Sequence, residues 1–176
     1  MKRCKILIAI YSMLLLSSSS FAQSSVNDLV KEWERAKAYT KEYLDAMPAE
    51  KYRYKPTPEM RTFAEQMLHL SATNYAFAAA AAGNKSPYGM GELEKTTDKS
   101  KENITKIVIA GYDFVIGGLK KISPEQLNEK IQLFGKFDMA RTQVFEKAFE
   151  HQTHHRGQTT VYLRLAGVKP PQEKLF

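Results

Sequence analysis

The chain has 176 residues, with 26 Lys and Arg against 19 Asp and Glu, a formal charge of +7 and one cysteine. This length suits one domain with a sizeable core. Basic residues alternate with acidic ones, as in Lys31-Glu32-Trp33-Glu34-Arg35, and no basic stripe with interleaved aromatics is present, which argues against nucleic-acid binding.

Residues 1–22 read as a secretory signal peptide. Met1 to Lys5 is a basic start, Ile6 to Leu16 an apolar run, and Ser20-Phe21-Ala22 places small residues where a signal peptidase reads, with cleavage after Ala22. The apolar run is about half the ~20 residues of a spanning helix, so no stable membrane insertion is expected once the signal is removed. Cys4 precedes that run and cannot become a lipidated first residue. The mature chain, residues 23–176, therefore has no cysteine, which excludes disulfides, thiolate ligands and a cysteine nucleophile. Loss of Lys2, Arg3 and Lys5 takes the formal charge from +7 to +4. The expected destination is the periplasm or the exterior of the cell.

Four long segments carry helical periodicity. The first runs from Val26 to Met47, with Leu29, Trp33, Ala36, Thr40, Tyr43 and Met47 on one stripe. Ser25 or Asn27 is its expected cap, and Pro48 ends it. Residues 48–61 hold three prolines and read as a crossing loop. The second helix begins after Thr62, which forms a capping box with Glu65, and runs to Ala82, where Gly83-Asn84 ends it. Phe63, Met67, Leu70 and Phe77 are its core residues, and the alanine run Ala78–Ala82 permits close helix approach. A glycine-containing loop over 85–97 follows. The third helix runs from Asp98 to Ile122, and Gly111, Gly117 and Gly118 weaken it. Ser123-Pro124 opens a short turn, and Lys130–Phe134 alternates as an extended segment does. The fourth helix runs from Asp138 to Ala166, with Val144, Ala148, His151, His155, Gln158, Tyr162 and Leu165 tracing an inward face. Four helices with such loops predict an all-α four-helix bundle.

Three of the chain's four histidines fall in His151-Gln152-Thr153-His154-His155-Arg156-Gly157-Gln158. His151 and His155 are four apart, so they stack on one helix face and can close on one metal ion. Two neutral imidazoles facing a core need partners, because an unsatisfied buried polar group costs roughly 1–3 kcal/mol. A third ligand from another helix completes a facial three-histidine site with open positions, the form used by catalytic metals. His69, in the middle of the second helix beside Gln66, Thr73, Ala76 and Ala80, is the candidate. His154 points away and is expected to bond a neighbouring helix. Arg156 is expected to pair with a loop carboxylate, Gly157 to admit close approach of another backbone, and Gln158 to orient a ligand or water from one turn beyond His155. Glu65 reads as a capping residue before a general base. No Ser-His-Asp set or glycine-rich phosphate loop stands out, and HExxH is absent because residue 152 is glutamine.

The 151–158 segment, followed by Tyr162-Leu163-Arg164, Gly167 and Pro170-Pro171, resembles the last helix of the DinB family. Phe63-Ala64-Glu65-Gln66-Met67-Leu68-His69-Leu70 resembles its second helix, and Tyr54-Lys55-Pro56 the motif before it. The resemblance implies an up-down-down-up bundle that holds zinc or nickel through three histidines, here His69, His151 and His155. It also implies a possible homodimer, and activities that include bacillithiol- or mycothiol-dependent transfer. The export signal departs from familiar members, since low-molecular-weight thiols belong to the cytosol. The resulting expectation is an exported metal-dependent hydrolase or thiol transferase acting on a small molecule. The alternative is a non-catalytic binding or stress-related module whose metal is structural or absent.

Overall fold

A computed structural model describes residues 26–176, and the expected signal peptide, residues 1–22, lies outside them. Helix α1 is described over 26–46, so Asn27 lies inside it and does not cap it; Ser25 lies outside the described residues. Helix α2 spans Phe63–Ala82, α3 Lys101–Leu119, α4 Pro124–Leu127 and α5 Arg141–Leu165; a hairpin of β1 (Lys130–Leu133) and β2 (Phe137–Ala140) precedes α5. No helix among the described residues is long and apolar enough to cross a membrane.

Local chemistry sets most boundaries. Thr62 Oγ1 accepts from Glu65 N, and Glu65 Oε2 accepts from Thr62 N at 2.8 Å, closing the expected capping box. Gly83 ends α2 in the left-handed conformation, φ 67°. Helix α3 is shorter than expected at both ends: Ser100 Oγ caps its start by accepting from Asn103 N, and it stops at Leu119 with Lys120 as its cap. Ser123 and Gln126 form a second capping box over α4. Helix α5 starts three residues later than the periodicity predicts. Residues 137–140 pair antiparallel with 130–133, and Ala140 N donates to Gln143 Oε1 where the helix begins.

Cross-helix contacts fix the topology. Trp33 meets Phe149, and Tyr43 Oη lies 2.8 Å from Thr160 Oγ1, so α1 and α5 run parallel. Thr73 meets His151, and Arg141 Nη1 donates to Ala81 O, so α2 runs against α5. Ser71 Oγ donates to Ile107 O and Gly118 abuts Ala82, so α2 and α3 are parallel. Lys101 Nζ donates to Met47 O and Lys120 Nζ to Glu34 Oε1, so α3 runs against α1. The order is up-down-down-up, with α1 diagonal to α2 and α3 diagonal to α5.

The core is aromatic. Trp33, Tyr52, Phe63, Tyr112, Phe145 and Tyr162 are all fully buried. Phe63 meets Tyr52 edge-on at 5.1 Å, and Trp33 meets Phe149 edge-on at 5.3 Å. Gly111 does not break α3. A Cβ there would lie 2.5 Å from Ser71 Oγ, so the glycine lets α2 and α3 close together. At the hairpin tip Phe134 (φ 53°) and Gly135 (φ 69°) are both left-handed. That conformation costs a side-chain-bearing residue roughly 1–3 kcal/mol. The Phe134 ring packs edge-on against Phe77 at 5.3 Å.

Candidate metal centre

The antiparallel contact of α2 with α5 brings three of the four histidines together. The centroids of His151 and His155 lie 4.2 Å apart, those of His69 and His155 4.6 Å, and those of His69 and His151 5.1 Å. One ring nitrogen from each lies within 4.8 Å of the other two. Three nitrogens spaced evenly at roughly 2.0–2.1 Å from one ion stand at most about 3.6 Å apart, so the rings are near enough to close on one ion by small side-chain rotations.

Protonation favours ligation. Burial pushes His151 down from 6.5 to about 4, with His69, His154 and Arg61 adding to it. Burial pushes His155 down to about 3, with His151, His69, His154 and Arg61 adding to it. Both rings are therefore neutral near neutral pH and keep a lone pair for a cation. His151 Nδ1 is buried with no hydrogen-bond partner among the described residues, while its Nε2 lies 3.3 Å from Thr73 Oγ1. An unsatisfied buried nitrogen beside two other imidazoles fits a metal site. The donor set, three neutral nitrogens with no thiolate, suits zinc, nickel and other first-row divalent ions.

A second layer orients the rings. His69 Nδ1 contacts the Glu94 carboxylate, which sits in the 3-10 turn Leu93–Lys95. Glu94 accepts the Nδ1–H and leaves Nε2 as the available ligand. Gln66 Nε2 stands 2.9 Å from His155 Nδ1 and also donates to Gln158 Oε1, and Gln158 Nε2 lies 2.7 Å from His154 Nε2. Gln158 thus reaches His155 through Gln66. Ligation through Nε2 of His155 places the ring proton on Nδ1, and a half-turn of both the Gln66 and Gln158 amides presents an oxygen to receive it while keeping their mutual bond.

Several expectations need correction. His154 is exposed and bonds Gln158 of its own helix, with no neighbouring helix involved. Leu165 is 58% exposed, because the buried face turns through Gln152, Arg156, Thr159 and Tyr162. Arg156 has no carboxylate partner among the described residues; it donates to Gln152 Oε1 at 3.1 Å and lies over the Tyr39 ring. Burial pushes its guanidinium below the usual range. Gly157 has nothing within 4 Å of a notional Cβ, so no backbone approaches it. Glu65 is a capping residue as expected, and it also binds Lys99. Its carboxyl is held down to about 2 by Lys99 first and then by the Thr62 N–H.

Sequence reasoning placed Gln66 on the His69 face but missed its bond to His155, and it missed Glu94 entirely. The signal for Gln66 was its position three residues before His69. Nothing local marks Glu94, which is 25 residues away along the chain.

Beside His69 lies a cavity of ≈ 380 Å³ lined mainly by Tyr75, Phe77, Tyr88, Met90 and Phe134, with Thr73 and Glu94 at the imidazole end. This is a volume for a small organic molecule with an apolar body.

A family model described as "DinB family" matches residues 22–175. An uncharacterized protein, YjoA, of Bacillus subtilis (strain 168) is 26% identical over 144 residues, covering 80% of this chain and 90% of that one. The crystal structure of a DinB-like protein from Bacillus cereus ATCC 10987 superposes with a TM-score of 0.72 at 20% identity, over 83% of this chain and 95% of that chain. That of the DinB-like YjoA from Bacillus subtilis gives 0.65 at 19% identity, over 85% and 96%. At these identities the two structures establish the shared fold alone.

Proposed function

The chain belongs to the DinB family, and from that premise we propose that it is an exported divalent-metal protein acting on a small molecule as a hydrolase or thiol transferase. The observation that carries the reading is the convergence of His69, His151 and His155, with ligand nitrogens within 4.8 Å of one another. Zinc or nickel is the proposed ion, on the chemistry of three neutral imidazoles. Bound there, such an ion supplies Lewis-acid chemistry, bringing the pKa of a coordinated water or thiol toward neutrality.

The chain's own groups do the rest. Glu94 holds the proton on Nδ1 of His69, and Gln66, braced by Gln158, faces Nδ1 of His155. The adjoining cavity of ≈ 380 Å³ gives a substrate room beside His69, and its aromatic wall suits an apolar body. That room favours a reactive centre over a closed structural one. The signal-like residues 1–22 support export to the periplasm or beyond.

The test is elemental analysis of protein purified without chelator. About one equivalent of divalent metal is expected, with loss of most of it in His69→Ala and in His155→Ala. If both variants keep a full equivalent, the ligand set is wrong. Azide or a small thiol should perturb the visible spectrum of the cobalt-substituted protein; an unchanged spectrum would mean no exchangeable position. Amino-terminal sequencing of the protein from the exported fraction of its host should begin at Gln23, and an intact Met1 there would refute processing.

A further inference from the structure

The side of α5 that faces α1 carries a second arrangement, which the metal centre does not use. Arg156 is only 6% exposed. Taking a guanidinium out of water is expensive unless hydrogen bonds and a counter-charge compensate. Arg156 donates from Nη1 to Gln152 Oε1, and its guanidinium carbon lies 4.4 Å from the Tyr39 ring centroid. Every ion pair among the described residues leaves it out, and residues 1–25 contain no Asp or Glu. A guanidinium has five donors in a planar fork, and Gln152 and Tyr112 engage only part of it.

Arg156 lines a cavity of ≈ 550 Å³ between α1, α5 and the carboxy-terminal segment. Arg164 and Lys169 add two cations to its wall, and Glu173 is its sole acid. Tyr39, Tyr43 and Thr160 bring hydroxyls. Pro170, Pro171 and Leu175 make an apolar side. The carboxy-terminal segment is held over α1 by Arg35 Nη1 donating to Lys174 O at 2.6 Å, and by Lys174 binding Glu42. Gly157 also lines the cavity, with open space where a Cβ would stand. A glycine inside a helix, with no protein group pressed against it, leaves bare backbone for a ligand to approach.

We infer that this cavity binds a small organic anion, whose carboxylate or phosphate docks on Arg156 between Arg164 and Lys169 while its apolar body lies against Pro170, Pro171 and Leu175. A planar guanidinium suits both oxyanions through paired N–H donors. The site is separate from the imidazole cluster and needs no metal.

The test is calorimetric titration of the purified protein, in the presence of chelator, with benzoate, phenyl phosphate and neutral benzamide. Chelation keeps the anions from binding through a metal ion. Saturable one-to-one binding is expected for benzoate, phenyl phosphate or both, at least about tenfold tighter than for benzamide. The better of the two anions identifies the headgroup. Arg156→Lys keeps the charge but loses the fork and should weaken that anion about tenfold. Arg164→Gln with Lys169→Gln changes only exposed side chains, so the fold is kept, and should weaken it by about three- to tenfold. Absence of saturable binding by both anions would overturn the proposal. So would equal binding of benzamide, or unchanged affinity in the double variant.

Discussion

Glu94 is the residue through which the metal reading is most sharply tested. Its carboxylate contacts His69 Nδ1, fixing the ring proton there and aiming Nε2 at the cluster. Without that partner the imidazole is free to turn and to change tautomer. Loss of such an outer partner lowers metal affinity by about 10–100-fold, roughly 1.4–2.7 kcal/mol. The side chains of His69 and Glu94 are 24% and 40% exposed. Water therefore replaces part of what the carboxylate supplies and screens its charge, which places the effect near the lower bound. Glu94→Ala should thus weaken metal binding by about tenfold. Glu94→Gln keeps an amide oxygen that accepts the Nδ1–H, and should weaken it by only about threefold. Competition titration against a chromogenic chelator near neutral pH measures both. The stability of the metal-free protein should change by less than about 0.5 kcal/mol, since no core contact is lost. If Glu94→Ala binds metal as tightly as the parent, the carboxylate does not orient His69 and ligation through its Nε2 is wrong.

Glu65, held at about 2 against an ordinary 4.5 by Lys99 and the Thr62 N–H, stabilises the fold above pH 4.5, and this is lost as pH falls from there toward 2. Its side chain is 31% exposed, so Glu65→Ala should cost only about 1–2 kcal/mol at neutral pH and less in acid; a cost in urea denaturation that does not shrink on acidification would contradict the pairing. His151 and His155, at about 4 and 3 when folded against an ordinary 6.5, take up protons first in the unfolded chain. The metal-free protein should therefore lose stability as pH falls from 6.5 toward 4, and a melting temperature that rises over that window would refute the assignment. Gly111→Ala forces a Cβ to 2.5 Å from Ser71 Oγ and should destabilise by about 1–3 kcal/mol. Gly157→Ala meets nothing within 4 Å and should stabilise by about 0.5–1 kcal/mol, so thermal melts moving in the same direction would show that these packing distances do not govern stability.

The helices were legible because their signals are local. Thr62 and Glu65, Gly83, and Ser123 with Pro124 mark boundaries within a few residues of chain, and each stands where expected. The imidazole trio was legible because two members share one helix face and the third is the one histidine outside the 151–158 segment. What failed depends on partners distant in sequence. Strand 137–140 exists because residues 130–133 pair with it, and its own pattern continues that of α5. Arg156 was expected to meet a carboxylate, but the hydrogen-bond partner the fold supplies is the Gln152 amide. Leu165 continues the apolar spacing yet stands off the buried face, which at that end of the helix runs through Tyr162, Leu163 and Ala166. Gly157 signalled an unusual site, and the missing neighbour is not another helix.

The left-handed Phe134 carries a consequence for how this protein diverges. The imidazoles stand on α2 and α5, whose positions the whole bundle fixes, whereas one wall of the adjoining cavity hangs from a hairpin tip of a few residues. Asparagine at position 134 would suit the backbone better, so the aromatic ring packed on Phe77 stands against the preference of its own turn. Exchange of that tip can reshape the cavity while the three imidazoles stay in register. The shape of the pocket and the geometry of the cluster are thereby open to separate change, one on a replaceable tip and the other on the frame.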